Sequence, residues 1–201
     1  MCSEENNIIN KVSQIKKIIF LVETHFSKRD FERFGLDKFE SNGFDCFVIE
    51  FTQIIHPQYA SNIINNNPKK FSNLLSVSNK QEIIDVLSNH RDESFIISLL
   101  NYTISTYPIF RYVSKLNIPY AILAWQPVLY EPRFYQPKFN ILKKIINKIY
   151  RLSLRNIKRD YITHMPLKLL GLNPANFIFI ATKKSKINLK LTNKSTKKLF
   201  I

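Results

Sequence analysis

Residues 17–51 constrain the fold most, because their hydrophobic period changes from that of a strand to that of a helix and back again. An apolar run, residues 18–22, is followed by a stretch, residues 23–30, that is polar except for Phe26. Apolar residues then recur at helical spacing: Phe31, Phe34 and Phe39. Gly43 separates the predicted helix from a second, nearly continuous apolar run, residues 44–51. This β-α-β pattern predicts a parallel sheet, and such sheets bind ligands beyond the carboxyl ends of their strands.

The same alternation continues along the chain and predicts an α/β fold. Predicted strands cover residues 17–22, 44–51, 94–100, 119–124 and 176–181. Predicted helices cover residues 27–42 (or 30–42), 59–65, 80–88, 103–116 and 139–161, and a short turn-helix segment is predicted at 166–173. Strands separated by helices favour a parallel, Rossmann-like sheet flanked by helices. The domain organisation that we predict is a flexible N-terminus at 1–15, a Rossmann-like domain at 16–182 and a loose basic tail at 183–201.

Segments that would direct the chain to a membrane or to an oxidising compartment are not expected. Apolar runs are about half the length of a membrane-spanning helix of roughly 20 residues, and the N-terminus carries acidic residues instead of a basic region. Cys2, near the start, and Cys46, in a predicted buried strand, make a poor disulfide pair. We therefore expect a cytoplasmic protein.

Positive charge is concentrated in the last third of the sequence. The formal net charge is +15; residues 1–137 carry 14 basic and 14 acidic residues, whereas residues 138–201 carry 16 basic residues and the single acid Asp160. Within this third, the predicted helix 139–161 has an apolar side and a basic side. The basic side includes Lys143, Lys144, Lys148, Arg151 and Arg155.

Three uses of this basic helix remain open. In the first, the basic side faces water while the apolar side packs on the protein core. In the second, the helix adsorbs to an anionic membrane surface, and in the third it binds nucleic acid. Nucleic acid is the least favoured partner, because no helix-turn-helix, RNP-like or zinc pattern accompanies the lysines.

Common nucleotide and catalytic motifs are absent from the sequence. The chain contains only Gly35, Gly43 and Gly171, too few for a dinucleotide fingerprint or a P-loop. The four histidines lack metal-ligand spacing, and no serine occupies a nucleophile elbow. We expect no cofactor and no metal.

The candidate site therefore follows from position alone. Parallel strands bring together the residues that follow them, and these residues are rich in hydrogen-bonding and stacking groups. They are Glu23, Thr24, His25, Thr52, Asn101, Tyr102, Trp125 and Gln126. Such groups suit a sugar or a nucleotide, and His25 is a candidate general base because imidazoles exchange protons near neutral pH. Local packing of His25, and a half-buried core position for Trp125, are the alternatives. His56 could face the same cleft, although a turn role is favoured.

Several of these residues also carry a family resemblance. The run from Glu23 to Gly35, the Asn42-Gly43-Phe44 phrase and Phe51-Thr52 ahead of His56-Pro57 resemble the N-terminal half of bacterial surface-polysaccharide glycosyltransferases. Ile118-Pro119-Tyr120 adds to the resemblance. These proteins have two Rossmann-like domains, the architecture called GT-B.

The resemblance implies an acceptor-side domain. In that architecture the N-terminal domain binds the acceptor and can supply the base, here His25 with Glu23, while the C-terminal domain binds the nucleotide-sugar. The expected substrate partner is a glycan or lipid-linked acceptor, with Thr24, Asn101, Tyr102, Trp125 and Gln126 as contacts. A chain that stops at Ile201 is expected to be a truncated or split form, inactive alone, that needs a second chain for the donor. It would lie in the cytoplasm or on the inner face of the cytoplasmic membrane. The alternative is a non-enzymatic α/β binding domain with a basic surface for anionic membrane or nucleic acid.

Overall fold

The computed structural model describes residues 15–62, 71–124, 165–180, 191 and 196–200. Seven strands form one sheet: β1 (Lys17–Val22), β2 (Asp45–Glu50), β3 (Leu74–Ser76), β4 (Ser94–Ser98), β5 (Tyr120–Ala124), β6 (Phe177–Ile180) and β7 (Lys197–Phe200). Every pairing is parallel, and the order across the sheet is β3-β2-β1-β4-β5-β6-β7. The predicted Rossmann-like α/β fold is confirmed.

Helices connect the strands of this sheet. They are α1 (Lys28–Phe34), α2 (Leu36–Ser41), α3 (Thr52–Ile55), α4 (Pro57–Asn62), α5 (Lys80–Asn89) and α6 (Tyr107–Leu116). Both faces of the sheet are covered, since successive side chains of a strand point to opposite sides. Along β1, Ile19 and Leu21 belong to the apolar layer that contains α5 and α6. Phe20 belongs to the layer that contains α1 and α2.

The first predicted helix is two helices in the structure. Ser27 caps α1 through a capping box with Asp30: the Ser27 hydroxyl accepts from the Asp30 N–H, and the Asp30 carboxylate accepts from the Ser27 N–H. Gly35 then adopts a left-handed conformation, with φ of 65°, which ends α1 and begins α2. The prediction of one continuous helix is wrong because the left-handed Gly35 interrupts the helix, although the apolar residues on both sides of it keep helical spacing.

Other predicted elements differ from the structure. Residues 52–79 are predicted to be an irregular loop with one short helix at 59–65, but the described part of this stretch contains α3, α4 and the edge strand β3. Helix α6 begins at Tyr107, four residues later than predicted, because Thr103–Thr106 form a turn closed by their own hydroxyls. The region 166–173, predicted as a short turn-helix segment, forms turns without a helix. The tail was predicted to be loose from 183 onward, but Lys197–Phe200 is strand β7, hydrogen-bonded along β6.

Candidate functional site

The site lies at the carboxyl edge of β1, β2 and β4. The chain leaves β1 towards β2 and leaves β4 towards β5, although β1 and β4 are neighbours in the sheet. Connections that diverge in this way open a crevice at the topological switch point, the usual ligand position in parallel α/β sheets. Glu23 follows β1 at this edge, and Asn101 follows β4.

A buried carboxylate, that of Glu50, organises the first part of the site. Glu50 is the last residue of β2, and its side chain is only 7% exposed. Its Oε2 accepts the backbone N–H of Phe26 at 3.0 Å, and its Oε1 accepts the Thr52 hydroxyl at 3.0 Å. Nδ1 of His25 lies 3.2 Å from Oε2. These donors compensate for the loss of water around the carboxylate, which would otherwise be costly to bury.

The imidazole of His25 is oriented by this arrangement. Its Nδ1 faces the buried carboxylate, which favours a proton on that nitrogen. Within the described part of the chain, its Nε2 has no hydrogen-bond partner, and the side chain is 27% exposed. An imidazole held in this way can take a proton at Nε2 from a hydroxyl group, and the resulting cation is stabilised by Glu50.

A second imidazole–carboxylate pair lies at the same edge. Oε1 of Glu23 is 3.0 Å from Nε2 of His56, which sits between α3 and α4. Oε2 of Glu23 accepts from Nδ2 of Asn101 at 3.0 Å and from its backbone N–H at 3.3 Å. Both oxygens of Glu23 are therefore engaged, and the carboxylate bridges the loops after β1, β2 and β4.

The structure brings some predicted site residues into this network and places others elsewhere. Glu23, His25, Thr52 and Asn101 share it, and Thr24 is exposed beside it. The remaining predicted residues lie outside the described ranges: Trp125, Gln126, Lys143, Lys144, Lys148, Arg151 and Arg155. The whole predicted helix 139–161 also lies outside them. The sequence also predicts that His25 and Trp125 line one concave surface; because Trp125 is not described, this stays a prediction.

Two residues of the network were not expected there. Glu50 was read only as part of a strand, although it is a charged residue at the end of an apolar run, a signal that could have indicated a buried partner. His56 was favoured as a turn residue; it does lie at a helix junction, but its ring pairs with Glu23.

Tyr102 is half-buried and packs against the apolar core beside Phe110, with the ring centroids 5.8 Å apart. Its hydroxyl is buried and has no hydrogen-bond partner among the described residues. Burial, followed by the proximity of Tyr107, raises the pKa of Tyr102 to about 12. The neighbouring Tyr120 is different, because its hydroxyl donates to the carbonyl oxygen of Asn173 at 2.7 Å.

This contrast gives a prediction for two matched variants. Tyr120→Phe is expected to lower the free energy of unfolding by about 1 kcal/mol, because it removes a hydrogen bond and leaves a carbonyl unpaired. Tyr102→Phe is expected to leave stability unchanged or to raise it by up to about 1 kcal/mol, because it removes an unpaired buried hydroxyl. Urea denaturation measures both changes. An equal loss of stability in the two variants would contradict the description of the Tyr102 hydroxyl as unpaired.

Metal and thiol chemistry find no support in the described ranges. These ranges contain no group of three or more histidine, cysteine, aspartate or glutamate side chains arranged to hold a metal ion. Cys46 is buried, and burial, followed by Glu40 and Asp45, raises the pKa of its thiol to about 11. The thiol is therefore protonated at neutral pH, the unreactive form.

The fold and this edge define the class of protein: a Rossmann-like, all-parallel α/β protein with a polar site of two histidine–glutamate pairs at the switch point. No family model, curated protein or solved structure matches the chain. In the parts of the chain that the structure describes, no helix is long and apolar enough to cross a membrane.

Proposed function

We propose that this chain is the acceptor-side domain of a glycosyltransferase in bacterial surface-polysaccharide biosynthesis. The observation that carries the proposal is the His25–Glu50 pair at the carboxyl edge of the sheet. The resemblance of residues 23–35 to such proteins supports the same reading.

The proposed chemistry follows from the orientation of the pair. A glycosyl acceptor must lose a hydroxyl proton as its oxygen attacks the sugar, and a positioned imidazole provides the acceptor for that proton. Nε2 of His25 would take the proton, while the buried carboxylate of Glu50 would hold the ring and offset the new positive charge. Glu23 would act as a positioning residue, because both its oxygens are already engaged.

The proposed partners are a glycan or lipid-linked acceptor and a second chain or domain that binds the nucleotide-sugar. Sugar transfer also requires groups that stabilise the leaving diphosphate, and those would come from the donor side. An acceptor anchored by lipid would bring the chain to the inner face of the cytoplasmic membrane. The excess of basic residues in 138–201 supports contact with anionic headgroups there.

Reconstitution with a donor-binding partner tests this function. Sugar transfer would be measured with the companion chain, a nucleotide-sugar and a lipid-linked acceptor in anionic and in neutral vesicles. His25→Ala is expected to lower the transfer rate by about 100-fold or more, the usual contribution of a general base. Wild-type transfer is expected to be faster in anionic vesicles, because the basic third attracts them.

His90 provides the matched control for this experiment. It lies at the opposite edge of the sheet and packs on Phe47, with the ring centroids 4.3 Å apart. Transfer by His90→Ala should match the wild type once both proteins are shown to be folded. Full transfer by folded His25→Ala would refute a catalytic role for His25 and leave it as a packing residue.

A further inference from the structure

The carboxylate of Glu23 is held by donors that all come from outside its own loop. Nε2 of His56 lies 3.0 Å from Oε1, whereas the amide Nδ2 and the backbone N–H of Asn101 contact Oε2 at 3.0 and 3.3 Å. The Asn101 loop is itself fixed, because the Thr106 hydroxyl donates to the carbonyl oxygen of Asn101 at 2.5 Å. Three donors from two loops thus converge on one anionic group, and the loop that supplies two of them is held in place independently of Glu23.

Glu23 differs in this respect from Glu50. The side chain of Glu50 is 7% exposed, and its carboxylate accepts from the backbone N–H of Phe26, as expected of a group with a structural role. The side chain of Glu23 is 19% exposed, that of His56 is 41% exposed, and Asn101 is exposed. The donors around Glu23 can therefore be reached from solvent, whereas two of the donors to Glu50, the Phe26 N–H and the Thr52 hydroxyl, belong to buried residues.

The donors also define what the site can hold. A backbone N–H, a carboxamide and an imidazole are the groups that bind the oxygens of carboxylates and phosphates. Their position is the switch-point crevice between β1 and β4, where parallel sheets bind ligands. We propose that His56 and Asn101 form an anion-binding site, in which the Glu23 carboxylate occupies the place of a carboxylate or phosphate group of a ligand.

Because the Glu23 side chain occupies the proposed site, it should prevent free anions from binding there. Because Glu23 is tethered beside the donors, its effective concentration is high and a free anion competes with it poorly. Removal of the carboxylate should leave the donors available to anions in solution. This proposal does not depend on sugar transfer, since neither His25 nor a donor domain takes part in it.

Thermal denaturation of Glu23→Ala tests the site, with sodium acetate or inorganic phosphate as the probe and chloride at equal ionic strength as the reference. For an anion that binds with Kd of about 10 mM, a concentration of about 0.1 M should raise the Tm of the variant by about 4 °C. Relative to chloride, the wild type should show only the small rise that excluded anions such as phosphate give folded proteins in general, and this rise is subtracted from that of the variant. A larger rise with phosphate than with acetate would identify a phosphate group as the preferred ligand, and the reverse a carboxylate.

Second-site variants locate the effect. Glu23→Ala/Asn101→Ala should lose at least half of the rise, whereas Glu23→Ala with Asn89→Ala, at an exposed position of α5, should keep it. If Glu23→Ala does not fold, Glu23→Gln replaces it, because its neutral amide competes less strongly than a carboxylate and should still permit a rise. No rise above wild type, or a full rise after loss of Asn101, would overturn the proposal.

Discussion

Replacing Phe20 by alanine is expected to lower the free energy of unfolding by about 3–5 kcal/mol. Phe20 lies in β1, the strand between β2 and β4, and is 1% exposed. Its ring stacks on Phe34 of α1 with 6.2 Å between centroids and meets Phe39 of α2 edge-on at 5.7 Å. The truncation leaves a cavity beneath both helices, and a close-packed interior collapses only partly around such a space. Urea denaturation would measure the change.

Leu169 supplies the control for this prediction. Its side chain is 73% exposed, so Leu169→Ala should change stability by no more than about 0.5 kcal/mol. A loss below about 1 kcal/mol for Phe20→Ala would mean that α1 and α2 do not form the layer that covers β1. A large loss with an unchanged denaturant slope would support the two-sided sheet, since the slope reports the surface exposed on unfolding.

The parts of the fold that the sequence predicts well are those with local causes. Lys17–Val22 was predicted with the bounds that the structure has, because a continuous apolar run bordered by polar residues is typical of a strand covered on both faces. Alternation of strands and helices was sufficient to predict the parallel sheet. The division of the first helix depends on a single residue, Gly35, whose left-handed conformation overrides the apolar spacing around it.

Features that depend on distant pairing were not predicted. Strand β7 is lysine-rich, a composition that does not indicate a strand, and it forms a strand because it pairs with β6. The candidate site likewise combines features that the sequence predicts locally with features that depend on distant pairing. Position after a strand is sufficient to nominate Glu23, His25 and Asn101, but the choice of partners depends on strand order across the sheet. That order places Glu50 beside His25, 25 residues away in sequence, and Asn101 beside Glu23, 78 residues away.

Loss of the Glu50 carboxylate is the second large effect that we expect. Glu50→Ala should lower the free energy of unfolding by about 2–4 kcal/mol, because two buried donors, the Phe26 N–H and the Thr52 hydroxyl, lose their acceptor. Leaving these two donors buried without water or an acceptor destabilises the fold by more than the net contribution of the two hydrogen bonds to stability. The same change removes the group that orients His25. Urea denaturation measures the first consequence, and the reconstituted transfer assay measures the second.

Two further variants separate the charge of Glu50 from its shape. Glu50→Gln retains the volume and one acceptor oxygen, but its amide donates where a carboxylate oxygen accepted, so a loss of about 1–2 kcal/mol is expected. Glu40→Ala removes an exposed carboxylate and should change stability by no more than about 0.5 kcal/mol. If Glu50→Ala were as stable as Glu40→Ala, the carboxylate would not be the acceptor of these donors. If the folded Glu50→Gln variant transferred sugar at the wild-type rate, orientation of His25 by a charged partner would not contribute to proton transfer, and His25 would have to act without it.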